Sequence, residues 1–171
     1  MGTANLTKTL DILDLLTSQH TEVDQLFAKL EKGKGNKAAL FLELADKLAA
    51  HATVEEKIFY PAAMMEKTKD LLMESVEEHL EIKRTLADML ALDPESDEFE
   101  AKLSVLKENV SHHAHEEEED KLFPMLRKQL DADQRAAIGN EVLAMFEQLM
   151  TQHPSAKVPG ETAKAAPLPQ P

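Results

Sequence analysis

The sequence predicts an all-α fold: an up-down-up-down four-helix bundle with an additional C-terminal helix and a disordered tail. Apolar residues recur at three- and four-residue spacing in five successive stretches, the period of a helix face. Gly and Trp are scarce while Leu, Ala, Glu and Lys are plentiful, a composition that favours helix over sheet. Short polar or Pro-containing breaks separate the stretches, and short connections between long helices make antiparallel neighbours. At 171 residues the chain has room for one core, which we place at residues 1–151, with 152–171 as the tail.

The first helix carries Leu13, Leu16, Val23, Phe27 and Leu30 on one face and stops at Gly33-Lys34-Gly35-Asn36. The second runs from about Lys37 through Leu40, Leu44, Leu48 and Ile58 to Met65, and Pro61 demands a kink or an early end. A third covers roughly Lys69 to Leu92 through Leu72, Val76, Ile82, Leu86 and Leu90, stopped by Asp93-Pro94-Glu95-Ser96. The fourth begins near Ser96, carries Phe99, Leu103, Leu106 and Val110, and continues to about Leu130 with Pro124 inside it. A shorter fifth, about Asp133 to Met150, presents Ile138, Val142, Phe146 and Leu149. From Pro154 onward the chain is rich in Pro and Ala without periodicity, the reason for expecting disorder there.

Charge and composition narrow the function. A formal net charge of −13 without a basic stripe repels nucleic-acid backbones and anionic membranes, so neither is expected as a partner. The chain contains no cysteine, which excludes disulfides, thiolate metal sites and a cysteine nucleophile and leaves His, Asp and Glu as the strong metal ligands. Met1 to Leu10 lacks the pattern of a secretory leader, Leu6 stands where a myristoylation signal needs Ser or Thr, and no stretch is long and apolar enough to span a bilayer. A cytoplasmic location is the expectation.

Polar residues interrupt the apolar stripes at positions the pattern assigns to the core. His20 falls between Leu16 and Val23, His51 and Glu55 between Leu48 and Ile58, and His79 between Val76 and Ile82. In the fourth helix the stripe Phe99, Leu103, Leu106, Val110 extends to His113 and Glu117, leaving His112 and His115 beside it. A His and a Glu four apart lie one α-helical turn from each other on the same face. Buried carboxylates need compensation, and four imidazoles with two carboxylates suit a pair of first-row transition ions better than calcium or magnesium. A single core histidine is more often hydrogen-bonded structure than ligand, and the acidic run Glu116 to Asp120 reads in large part as a solvated face. Four such features on four consecutive helices carry the metal reading. His153, beside the tail, reads as inert.

The sequence also echoes itself. His51 to Glu56 leads to Phe59-Tyr60-Pro61, and His113 to Glu118 leads to Leu122-Phe123-Pro124, but His51 lies ten residues before its proline and His113 eleven before its own. At Gln19-His20, His51-x-x-x-Glu55-Glu56, Glu78-His79 and the His112-His113 to Glu119 segment, the chain resembles the hemerythrin-like, or HHE cation-binding, family over about Leu10 to Lys128. The resemblance implies that His20, His51, Glu55, His79, His113 and Glu117 bind two iron ions bridged by oxide or hydroxide, with manganese or zinc as alternatives. It implies a small ligand, dioxygen, peroxide or nitric oxide, for sensing or stress protection, or else redox catalysis of catalase, peroxidase or ferroxidase type. Lys83 stands where oxygen-carrying relatives have a second histidine in the third helix, so Tyr60, His112, His115 or Glu118 is a candidate replacement ligand.

Overall fold

The structure, a computed structural model, describes residues 10–171. The reading of Met1 to Leu10 as lacking a leader falls, apart from Leu10, outside these residues. The bundle is built from four rods. The first is α1 (Ile12–Glu31), capped by Asp11, whose carboxylate accepts from the Leu13 amide at 2.8 Å. The second is α2 (Lys37–Val54), which continues without a break through a π-helical segment (Glu55–Phe59) into a single further turn, α3 (Tyr60–Ala63). The third is α4 (Lys69–Leu90). The fourth starts at a Ser96 cap as α5 (Asp97–Ser111), becomes π-helical over His112–Leu122, and ends as α6 (Phe123–Gln129). Helix α7 (Ala132–Met150), opened by an Asp131–Gln134 capping box, packs across α1 and α2.

Both internal prolines are tolerated because the helix changes type where each one stands. Pro61 and Pro124 lie in the first turn of α3 and α6, directly after the π-helical segments. The amide before each bonds five residues back, Tyr60 to the Glu55 carbonyl and Phe123 to the Glu118 carbonyl. A proline there adds to the loosening of the ladder rather than breaking a regular one.

The core is divided. One apolar cluster gathers Val23, Phe27, Leu44, Leu86, Phe99 and Leu106, and a second gathers Leu13, Leu16, Phe59, Leu72, Leu122 and Leu126. On each rod a stretch free of both clusters separates them, between Leu16 and Val23, Ala49 and Val54, Val76 and Ile82, and Val110 and Leu122, and in those gaps lie His20, His51, His79 and His113. A polar layer thus crosses the middle of an otherwise oily bundle.

Within the tail expected to be disordered, residues 152–171, Pro154–Glu161 instead has a fixed course. His153 turns the chain with φ 49° into a 3-10 helix, Pro154–Glu161, which packs against α2 and α4. Val158 is buried in the first apolar cluster. Asp46, itself buried, accepts from the Ser155 amide at 3.1 Å and its hydroxyl at 2.6 Å, while His153 Nδ1 lies 3.2 Å from its other oxygen. Val158 and the buried Asp46 carboxylate anchor the strap, Lys83 pairs with its Glu161 and Arg84 donates to the Thr162 carbonyl, and none of these contacts leaves a periodic signature in sequence. His153 is therefore structural rather than inert.

Gly139 supplies a first prediction. A Cβ at this position would collide with the Leu10 carbonyl oxygen and press on the Ile12 amide, both backbone atoms that cannot swing away. Alanine normally stabilises a helix interior by about 1 kcal/mol relative to glycine. Here Gly139→Ala is expected to lose about 1–3 kcal/mol through overpacking, read as a lowered denaturant midpoint with unchanged slope.

Candidate metal centre

Two groups of ligand atoms meet in the polar layer. His20, His51, Glu55 and Glu118 form one, and Glu55, His79 and His113 the other; within each group the donor atoms lie within 4.8 Å of one another. Glu55 belongs to both. Its Oε1 is 2.5 Å from His51 Nε2, and its Oε2 is 3.0 Å from His79 Nε2 and 3.7 Å from His113 Nε2. Glu118 Oε1 is 3.2 Å from His20 Nε2 and 3.5 Å from His113 Nε2. Both carboxylates are fully buried.

Each imidazole is held by its outer nitrogen. His51 Nδ1 donates to Gln19 Oε1 at 2.7 Å, His79 Nδ1 to Glu56 at 2.9 Å, His113 Nδ1 to Glu78 at 2.9 Å, and His20 Nδ1 to Glu119 at 3.2 Å. A proton fixed on Nδ1 leaves the Nε2 lone pair of the neutral ring aimed inward, the arrangement of metal-ligating histidines with their supporting carboxylates. Lys83 joins this outer ring at 3.0 Å from Glu56.

The inner atoms are starved of positive charge. His20 Nε2, His51 Nε2, Glu55 Oε1 and Glu118 Oε1 are buried with no hydrogen-bond partner, although two of the pairs among them are close. They are near each other but not directed at each other, as expected of ligands that point to a common centre. In the second group His79 Nε2 and His113 Nε2 are 3.0 Å apart. The Tyr60 hydroxyl lies 2.8–3.3 Å from Glu55, Glu118, His79 and His113, so one proton faces four acceptors. Orphaned acceptors in such a site are costly, and a cation answers all of them at once. The donor set, mixed imidazole and carboxylate, fits a first-row transition ion.

Protons respond to the same crowding. Burial depresses the basicity of His20, but the bonds and charges of Glu118 and Glu119 more than reverse this and hold its pKa at about 9. His113, although desolvated, is likewise raised well above its ordinary value, chiefly by the charge of Glu118 and its bond to Glu55. Burial would raise Glu55, yet the charge of His51 and bonds from His113, His51 and His79 hold it well below the usual carboxylate range. Burial and the neighbouring charges of Glu118 and Glu55 push the Tyr60 phenol well up.

Five of the residues singled out from the sequence, His20, His51, Glu55, His79 and His113, converge. Glu117 does not. Its Oε1 accepts from Lys121 at 2.6 Å and lies 3.6 Å from His112 Nε2, outside both groups, and Glu118 takes the inward place. The cause is the π-helical segment: with bonds to the fifth residue back, the side chain sharing His113's face is five residues on rather than four. The signal was present in the echo, since Glu55 and Glu118 each stand six residues before their prolines. Tyr60 also joins the site, while His112 pairs with Glu116 and His115 with Glu119 and Asp24 nearer the surface.

Comparison with known proteins identifies the family. The profile of the hemerythrin HHE cation binding domain matches residues 11–126, about two thirds of the sequence and all four rods. The chain belongs to the hemerythrin HHE cation-binding family. A crystal structure of a hemerythrin HHE domain protein from Mycobacterium kansasii superposes with a TM-score of 0.72 at 21% identity, covering 83% of this chain and 88% of that one; at such identity the likeness concerns the fold. A Nostoc protein named DNA nickase is 28% identical over 137 residues, 79% of this hemerythrin-like chain but 39% of the relative. The chain therefore spans well under half the length of that protein.

Proposed function

We propose that this hemerythrin-like chain holds two iron ions in the polar layer and uses them to bind or react with dioxygen, peroxide or nitric oxide, in sensing or stress protection. His20, His51, His79, His113, Glu55 and Glu118 would hold the ions, with Glu55 serving both and Tyr60 poised beside the second. The observation that carries this reading is the set of four buried, unpartnered donor atoms converging from three rods. Bound iron would supply a Lewis-acid centre with accessible one-electron redox change. The chain's own residues orient the donors, keep bulk water out and place a phenolic proton at the Tyr60 oxygen.

The ligand is small because the space is small. A cavity of about 30 Å³ lies beside the four imidazoles, walled by Val23, Leu48, Ile82 and Val110. Room for one water begins at roughly 10–15 Å³, so a diatomic or peroxide-sized molecule fits and a larger metabolite does not. The second reading, a redox enzyme of catalase, peroxidase or ferroxidase type, draws on the third helix: Lys83 replaces an imidazole and Tyr60 stands at the centre, giving an oxygen-richer site. DNA nicking is outside our proposal, since a net charge of −13 opposes contact with a phosphate backbone. No described helix is long and apolar enough to cross a membrane, and a cytoplasmic location completes the proposal.

Elemental analysis of protein purified without added metal is expected to return close to two iron per chain. Reduced protein mixed rapidly with oxygen, nitric oxide or peroxide should then form one stable spectral species per centre; repeated turnover of peroxide would favour the enzymatic reading. Less than one metal per chain, with no effect of chelation on melting, would defeat both.

A further inference from the structure

A second cavity, of about 360 Å³, lies between α2, α4 and the C-terminal strap, within the size range of small-molecule sites. Four lysines line it, Lys57, Lys83, Lys157 and Lys164, against two carboxylates, Glu56 and Glu161. It is thus positive by two charges in a chain of net charge −13, an inversion that neither solubility nor the metal centre requires. Lys57, Lys157 and Lys164 form no ion pair among the described residues, and Lys83 alone of the four is paired, with Glu56 and Glu161. Leu149, Ala165, Ala166 and Pro167 give the remaining wall an apolar part, with Thr53 and Gln152 as its uncharged polar members.

We propose that this cavity binds a small organic anion, a carboxylate with an aliphatic body. Lys83 is the anchor: its side chain is 10% exposed, and its ammonium lies 3.0 Å from Glu56 and 3.4 Å from Glu161. Glu161 belongs to the strap, is 42% exposed, and already places a carboxylate where the ligand's would sit. An incoming carboxylate displaces Glu161 from Lys83, gains the charges of Lys157 and Lys164 that Glu161 leaves unpaired, and lays its aliphatic part along Leu149 and the alanines. Point-charge ammonium groups suit a carboxylate without demanding the planar fork that arginine offers. The site involves none of the proposed metal ligands, and it meets the metal centre only at Glu56, which supports His79, and at Lys83 beside it.

Calorimetric titration of the metal-loaded full chain with sodium octanoate, butyrate and inorganic phosphate at constant ionic strength tests it. Octanoate is expected to bind saturably at one per chain and more tightly than butyrate or phosphate. The double variant Lys157→Gln/Lys164→Gln should weaken it at least tenfold, and Glu161→Gln should tighten it several-fold by removing the internal competitor. Absence of saturable octanoate binding, equal affinity for phosphate, or no gain on Glu161→Gln would each overturn the proposal. Because the three altered residues are exposed, circular dichroism and iron content unchanged from the parent chain will show that the variants remain folded and loaded.

Discussion

Glu118→Ala is expected to abolish metal loading, while Glu117→Ala retains the full complement. The two residues are adjacent, acidic and buried, so composition and neighbourhood cannot separate them; only helix geometry does. Glu118 Oε1 faces His20 Nε2 and, 3.5 Å away, His113 Nε2 of the second group, and its loss removes one of the four donors of the first group. It also leaves the Tyr60 hydroxyl with one carboxylate in place of two. Losing a mere supporting partner of a metal ligand typically costs roughly 10–100-fold in affinity; losing this carboxylate should cost more. Glu117 contributes a bond to the exposed Lys121, and its removal should leave iron content unchanged. Iron per chain, measured after equal loading and desalting, decides the matter. If Glu117→Ala emptied the site and Glu118→Ala did not, the fourth rod would be regular α-helix through His113 and the π-helical register would be wrong.

That pair also shows how far the sequence could be read. Apolar periodicity located the four rods, because each buries a continuous face, and it located the interruptions at His20, His51, His79 and His113 because a polar residue inside such a face is conspicuous. Periodicity failed at Glu117 for a definite reason: it assumes 3.6 residues per turn, and from His112 the backbone follows a wider turn. The ten-versus-eleven spacing to the prolines was the trace of that one extra residue. The strap was missed on different grounds. Its anchoring rests on Val158 entering a core assembled by other rods and on Ser155 meeting Asp46, more than a hundred residues away in sequence. Pair contacts of that separation leave no local pattern. Tyr60 was legible only as a candidate, since a tyrosine before a proline carries no information about which way its hydroxyl points; the three-dimensional neighbours Glu55 and Glu118 supply it.

Removing the metal is expected to lower Tm substantially, and by an amount that grows with pH. At free metal about a thousandfold above Kd, binding to the native state alone stabilises by about 4 kcal/mol, and for a chain of this size each kcal/mol moves Tm by about 2–4 °C. A chelated sample should therefore melt roughly 8–16 °C lower. In the metal-free chain the positive charge that Glu55 and Glu118 require comes from protons on the surrounding imidazoles. His20 is raised from 6.5 to about 9, and His79 and His113 are raised as well. A group whose folded pKa is raised lends its stability fully below the unfolded value and loses it as pH climbs through the folded value. Metal-free protein should therefore lose stability from about pH 6.5 to about pH 9. Metal binding has the opposite dependence, because ligation by imidazole nitrogens displaces those protons and strengthens as they become scarce. The gap in Tm between loaded and chelated protein should consequently widen across this interval, measured by calorimetry in buffers of matched ionic strength. A gap that stayed constant or narrowed would mean that protons and metal do not compete for the same inner nitrogens, and the convergence of His20, His51, His79 and His113 would then need a different explanation.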